Sequence, residues 1–320
     1  MFLFNFKSYF ISNCLSKKLA MKLFYTDAFV LPLPAGHHFP MEKYSILRKR
    51  IADAGIVDEK LICVPHAATD DEIRLAHDQQ YLSKIINNTL SSKELRRLGL
   101  PWTKQLVERS RRSSGATIDA CMEAVQNGLG INLAGGTHHA FRERGEGYCV
   151  FNDSAIAARM MIREGRVKRV IILDCDVHQG NGTAAILSND KNIFTFSIHG
   201  RKNFPHDKEI SDLDIALEDN TSDKHYLKML SNGINMAIET SNPDLVIYLA
   251  GADPYEDDKF GRLALTKQCL AERDGMVYEF CRKAGLPIAV TMAGGYARDV
   301  KDTVDIHFQT VKNAVCMLNH

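Results

Sequence analysis

Residues 169–183 read RVIILDCDVHQGNGT. An apolar run ends at Asp174 on a cluster of acids and a histidine, then passes into Gly180, Asn181 and Gly182. A short stretch of Val, Ile and Leu without polar alternation suits a strand buried on both faces. Four more segments repeat this design: Gly130–Leu133 runs into AGGTHHAF, Ile193–Ile198 into His199, Leu245–Ala250 into GADPYEDD, and Pro287–Met292 into AGGY. Lys22–Tyr25 is a sixth strand candidate. Helical periodicity falls between them, over 41–54, 71–88, 103–127, 153–164, 223–240, 267–284 and 302–318, with Ser222 and Asp223 as a start signal for one of them. Strand and helix alternate with no Pro/Gly/Ser linker, which predicts one parallel-sheet domain with helices on both faces. In an open parallel sheet, ligands bind beyond the carboxyl ends of the strands. Five strand exits bringing Gly, His, Asp or Tyr to one edge therefore describe a single site.

Composition narrows the class. The 320 residues are 45% apolar and 25% charged, with 40 Lys+Arg against 39 Asp+Glu, a net charge of +1. That excludes a disordered chain and argues against a polybasic nucleic-acid binder. No apolar run approaches the ~18 residues that span a bilayer. The eight cysteines form no CxxC pair, so reduced thiols are expected, not a disulfide framework or a thiolate metal site, and with them a cytoplasmic location, or a nuclear one in a eukaryote. Residues 1–20, MFLFNFKSYFISNCLSKKLA, contain no acid and are read as an N-terminal extension, either an upstream start or a targeting segment. The domain is expected over 21–320.

In Asp174–Cys175–Asp176–Val177–His178 the two-residue period of a strand puts 174, 176 and 178 on one side. Asp176 and His178 then reach one cation, and Asp253, at the exit of a later strand, is the best third ligand, leaving a position open for water. The competing reading has Asp174 and Asp176 capping a helix that begins near Gly182, with His178 as a core histidine. Two carboxylates offset most of the charge of a divalent ion, so a separate base and a separate oxyanion donor are needed. His138–His139, after Gly135–Gly136–Thr137, supplies the first; Tyr296, after Ala293–Gly294–Gly295, supplies the second. His37–His38 reads as a surface pair, Arg109–Ser110–Arg111–Arg112 as a solvated helix face, and the acidic stretch 207–223 as a solvated loop. The glycines at 128 and 130 precede a strand instead of opening a helix after one, which argues against a dinucleotide site.

GGTHHAF, GYCVFND, LDCDVHQGNGT, FSIH, GADPYEDD and AGGY, in this order, resemble the zinc-dependent histone deacetylase family of the arginase/deacetylase fold. HQGNG, RSRRSSGAT and NFPHDKEISD are most similar to its class IV branch and bacterial relatives. The resemblance covers Met21 to the C-terminus. It implies a three-layer αβα sandwich around an eight-stranded, mostly parallel sheet. It makes Asp176, His178 and Asp253 ligands of one Zn²⁺, His138 and His139 the acid/base pair, and Tyr296 the oxyanion donor. Asp174 orients His138 and, with Ser197 and the carbonyl of Ile198, holds a structural K⁺. Gly147 and Tyr148 line an acyl-lysine channel with Phe204 opposite. Asn181 stands where class I relatives carry an acid, which leaves His139 easier to keep neutral; Tyr148 stands where relatives often have Phe.

The implied reaction is hydrolysis of an Nε-acyl-lysine amide in a protein or peptide, acetyl or a longer fatty acyl, with no nucleic-acid partner. Acylated polyamines or other small amides are the alternative substrates, and a silent acyl-lysine-binding scaffold is the reading from another class. An arginase-like two-metal site is disfavoured because no aspartate closely follows His178 in DCDVHQG.

Overall fold

The computed structural model describes residues 21–317; the expected extension, 1–20, lies outside the described residues. Eight strands, β1 (Leu23–Phe24), β2 (Ile62–Cys63), β3 (Leu129–Asn132), β4 (Val170–Asp174), β5 (Ile193–Gly200), β6 (Leu213–Leu217), β7 (Leu245–Leu249) and β8 (Ile288–Thr291), form one sheet in the order 2-1-3-8-7-4-5-6. Every pairing is parallel. Ten α-helices and a 3-10 turn (Glu59–Leu61) complete the described fold: α1 (Glu42–Asp53), α2 (Asp70–Ile73), α3 (Gln79–Asn87), α4 (Ser92–Leu98), α5 (Lys104–Asn127), α6 (Asp153–Arg163), α7 (Asn181–Leu187), α8 (Asp223–Ser241), α9 (Lys267–Ala284) and α10 (Val300–Met317).

The central strands are apolar throughout because both faces are covered. Ile171 and Leu173 of β4 join a core with residues of α1, α8, α9 and α10. Val170 and Ile172, pointing the other way, join a second core with α3, α5 and α6. The result is the αβα sandwich expected from the sequence, and none of the described helices is long and apolar enough to cross a membrane.

The five strands singled out by their exits, β3, β8, β7, β4 and β5, are neighbours in the sheet. Their register lines up Asn132, Thr291, Leu249, Asp174 and Ser197 in one row across the sheet. Whatever follows that row leaves at the same height, which is how residues from 134 to 296 come to share one site.

Several expectations are corrected. The segment 71–88 is two helices, because His77 between them is buried and accepts the Asn152 N–H at 2.8 Å. Thr69 starts the first with a capping box. The acidic stretch 207–223 contains edge strand β6, whose alternating pattern is masked by its charges. Helix α8 does start at Asp223 with Ser222 before it, as the sequence signals, but Ser222 makes no side-chain cap; the Asp223 carboxylate instead accepts from the Thr266 N–H (3.0 Å) and hydroxyl (2.7 Å).

Candidate active site

The chain leaving β3 turns back through Gly135 (φ +75°) and Gly136 (φ +74°), a conformation that side chains with a Cβ resist. Asp153, at the start of α6, holds the turn. Its carboxylate accepts from the Gly136 N–H (2.9 Å), the Thr137 N–H (2.7 Å), and the Thr137 (2.7 Å) and Thr117 (2.5 Å) hydroxyls. The turn ends with His138 and His139 buried, their ring centres 4.1 Å apart.

The two rings have different partners. His138 Nδ1 lies 2.6 Å from Asp174 Oδ2, and His139 Nδ1 lies 2.7 Å from Asn181 Oδ1. Burial opposes charge on both. At His138 the Asp174 and Asp176 carboxylates outweigh it and raise the pKa to about 9. At His139 burial acts with repulsion from His138 and His178, so its pKa falls well below the ordinary value and the ring stays neutral. Asn181 Oδ1 accepts the Nδ1 hydrogen, which leaves Nε2 of His139 as a free acceptor.

Beyond β4 and β7, Asp176, His178 and Asp253 offer ligand atoms that lie within 4.8 Å of one another, the one such buried group of three among the described residues. His178 Nδ1 faces Asp176 Oδ1 at 2.9 Å and Asp253 Oδ2 at 3.4 Å. Backbone donors fix the acids: Val177 N–H to Asp253 Oδ1 (2.9 Å), His178 N–H to Asp176 Oδ1 (2.9 Å) and Gly294 N–H to Asp176 Oδ2 (2.8 Å). Position 294 must be glycine, since a Cβ there would stand 1.9 Å from Asp253 Oδ2.

The group fits a cation on two counts. Asp253 Oδ2 is buried without a hydrogen-bond donor. The cluster also draws positive charge: burial lowers the His178 pKa, yet the flanking carboxylates raise it to about 10, while burial and the Asp176 charge push Asp253 up to about 7. Neither Asp174 nor Asp176 caps α7, whose N-cap Gly180 makes no side-chain cap.

Asp174 and Ser197 face each other across β4 and β5 with Ile198 next along the strand, and the Ser197 hydroxyl lies 3.0 Å from His199 Nδ1.

The exit of β8 carries Tyr296, whose backbone N–H donates to Asp258 Oδ2 at 2.6 Å. Burial and nearby negative groups raise the phenol pKa well above its ordinary value, keeping it a donor. Tyr296, Tyr148, Phe204, the His pair, Asp176, His178 and Asp253 all line one cavity of about 860 Å³. Phe204 meets the His139 ring edge-to-face at 4.9 Å, and the Tyr148 and Tyr296 rings lie 6.1 Å apart. Gly147, at φ +55°, passes so close to His139 that a Cβ would stand 2.7 Å from its Cδ2.

Four contributors escaped the sequence reading. Asp153 and Asp258 organise the His and Tyr turns; both lie inside quoted motifs, but their roles depend on distant N–H groups. Lys43 is buried, with Nζ 3.4 Å from the Ala293 carbonyl, 3.3 Å from that of Gly295 and 5.3 Å from the Tyr296 ring centre. Arg273, fully buried, donates to the Gly251 carbonyl at 2.6 Å behind the ligand strands and pairs with Asp274 at 2.8 Å. Nothing in the local pattern of α1 or α9 marks these cations.

Two surface readings are corrected here. His37 is anchored, its Nε2 3.0 Å from the Gly99 carbonyl and its ring 5.9 Å from Tyr148; His38 is exposed. The 109–112 stretch is not a solvated face: Arg109 donates to the Thr26 carbonyl (2.9 Å), Arg111 to that of Ala68 (2.8 Å) and Arg112 to that of Pro65 (2.7 Å).

Residues 37–311 match the histone deacetylase domain family. The chain is 39% identical over 283 residues to an uncharacterized protein of Picosynechococcus sp., covering 88% of this chain and 94% of the relative. It is 28% identical over 282 residues to histone deacetylase 2 of Arabidopsis thaliana, covering 84% and 73%. It is 27% identical over 258 residues to the acetoin utilization protein AcuC of Staphylococcus aureus, covering 74% and 66%. Among solved structures, an HDAC homolog complexed with SAHA superposes with a TM-score of 0.79 at 21% identity, covering 95% of this chain and 84% of the other. An HDAC homolog from Aquifex aeolicus gives 0.77 at 21% identity, covering 93% and 84%. The chain belongs to the histone deacetylase family.

Proposed function

We propose that this protein is a zinc-dependent hydrolase of Nε-acyl-lysine amides in proteins or peptides, with residues 21–320 as one catalytic domain. The observation that carries this reading is the convergence of Asp176, His178 and Asp253 with the His pair and Tyr296 on the floor of one cavity. A Zn²⁺ held by those three residues would supply Lewis acidity toward the acyl carbonyl and make water more acidic. The remaining work falls to side chains. Neutral His139 takes a proton from water at Nε2, its Nδ1–H fixed on Asn181. Tyr296 donates its O–H to the carbonyl oxygen as negative charge builds there. His138, whose imidazolium is stabilised by Asp174, gives its proton to the departing amine, and the water proton left on His139 then passes on to restore the pair. One C–O bond forms, the amide C–N bond breaks, and the products are a carboxylate and a lysine ammonium. Asp174, Ser197 and the Ile198 carbonyl are proposed to hold K⁺ beneath His138.

Gly147, Tyr148 and Phe204 form the walls for the lysine stem in this reading. The lining of the same cavity also includes the apolar side chains of Leu31, Leu100 and Leu106, which supports acyl groups longer than acetyl. The test is turnover of acetyl-, crotonyl- and myristoyl-lysine peptides by zinc-loaded enzyme, with His139→Ala as the blank. Metal binding is read separately: added Zn²⁺ at about 100 times its Kd stabilises the fold by ~2.7 kcal/mol. The accompanying rise in Tm should vanish in Asp253→Asn; an equal rise in that variant removes Asp253 from the ligand set.

A further inference from the structure

We infer that the mouth of the cavity selects an acyl-lysine flanked by acidic residues and disfavours acylated polyamines. The inference deepens the acyl-lysine reading and rests on it. Arg96, Arg97, Lys202, Lys259 and Arg262 all line the cavity and are all exposed, which puts them at its entrance. They come from separate elements of the fold. Arg96 and Arg97 end α4, whose last carbonyls hold the Tyr148 wall: Arg97 accepts from the Gly147 N–H (3.3 Å) and Leu98 from the Tyr148 N–H (2.9 Å). Lys202, Lys259 and Arg262 sit on the loops after β5 and β7. Asn203 ties those loops together, donating to the Phe260 carbonyl (2.7 Å) and accepting from the Arg262 N–H (3.3 Å), and the Lys259 N–H donates to the Tyr296 carbonyl (3.2 Å).

Few acids answer these charges. Glu146 lines the cavity but pairs with Arg144 at 3.3 Å. Asp219 serves two of the cations, Arg262 at 2.7 Å and Lys202 at 3.8 Å. Glu94 and Glu143, near Arg97, pair with Lys84 and Arg144. The side chains of Arg96, Arg97 and Lys259 have no hydrogen-bond or ion-pair partner among the described residues. A peptide crossing the mouth with Asp or Glu on either side of the acyl-lysine meets these cations with opposite charge. A polyamine brings further ammonium groups against like charge, and such juxtaposition discriminates as effectively as attraction does. The pairs are exposed, and at 0.15 M salt the screening length is about 8 Å, so the preference must be salt-dependent.

The experiment measures fluorescence anisotropy of labelled acyl-lysine peptides on zinc-loaded His139→Ala protein, which binds without turnover. One peptide carries Glu at two positions on each side, a second carries Lys there, and an N-acylspermidine and a single-stranded oligonucleotide serve as competitors. At low salt the acidic peptide should bind about ten-fold tighter than the basic one, and the gap should close toward 1 M NaCl. Arg96→Glu/Arg97→Glu should erase or reverse the preference, and Lys202→Glu/Lys259→Glu checks the loops after β5 and β7. Equal affinity for the two peptides, or an acylspermidine competing as well as the acidic peptide, overturns the inference. So does displacement of the peptide by the oligonucleotide at lower concentration. Charge-selective binding with no acyl release by the wild-type enzyme sinks the hydrolase reading and leaves the rim assignment standing; hydrolysis without charge preference does the reverse.

Discussion

On the floor of the cavity Asp176 and Asp253 are gripped by N–H groups of Val177, His178 and Gly294, and each histidine of the pair has one short partner. At the mouth, Arg96, Arg97 and Lys259 stand in solvent with unpaired side chains. The floor is built on strand ends held in register, so its groups are positioned before a substrate arrives and need no reorganisation during reaction. The mouth is built on a helix end and loops, where charge acts through the field it projects and not through fixed geometry. Changes at the floor should therefore alter the chemical step, and changes at the mouth should alter which substrate arrives.

The largest effect expected on this division is at the floor. His139→Ala and Tyr296→Phe should each lower kcat by ~10²–10⁴ while KM and Tm change little. A loss confined to KM would move either residue from the floor's role to the mouth's. Next is the support beneath the His turn. Asp153→Ala leaves the buried N–H groups of Gly136 and Thr137 unsatisfied, which should cost about 3 kcal/mol in urea unfolding, whereas Asp153→Asn keeps some acceptors and should cost less. Equal destabilisation by the two would mean that packing, not hydrogen bonding, holds the turn.

The wall behind the floor has its own pH signature. His77 is buried, and burial lowers its pKa from 6.5 to about 4. An unfolded chain takes up that proton near pH 6.5 while the folded one does not until about pH 4, so this contribution is intact above 6.5 and lost as pH falls toward 4. The shift corresponds to on the order of 3 kcal/mol, and His77→Gln should flatten the difference in unfolding free energy between pH 7.5 and 4.5. An unchanged slope in the variant would assign the acid sensitivity elsewhere. The smallest effect belongs to the mouth. Raising NaCl from 0.05 to 0.5 M should change kcat/KM for an acidic peptide several-fold and leave kcat nearly constant, because only exposed charges are screened. A fall in kcat instead would carry salt sensitivity down to the floor.

The floor was legible in the sequence and the mouth was not, for one physical reason. Strand exits couple a local pattern, an apolar run followed by Gly, His or Asp, to a fixed height on a parallel sheet. Asp176, His178, His138, His139, Asp253 and Tyr296 could thus be named from the chain alone and line one cavity, with Asp174 held against His138 at 2.6 Å. The contributors that escaped act over distance. Lys43 lies on α1 yet meets the carbonyls of Ala293 and Gly295, and Asp258 holds Tyr296 through its backbone; no local period encodes either contact. The rim joins α4 to loops after β5 and β7, and helix α4 itself is too short to announce itself by periodicity. Edge strand β6 hid in the acidic stretch because one of its faces is open to solvent, so its side chains need not be apolar.

Hydrolysis of acyl-lysine amides on this floor is decided by incubating zinc-loaded enzyme with the acetyl-, crotonyl- and myristoyl-lysine peptides and quantifying both products. Equimolar carboxylate and free lysine peptide are expected from at least one of them, with His139→Ala at least about 100-fold slower and equally folded. No release from any peptide by protein shown to contain metal, or full activity in His139→Ala, would contradict it.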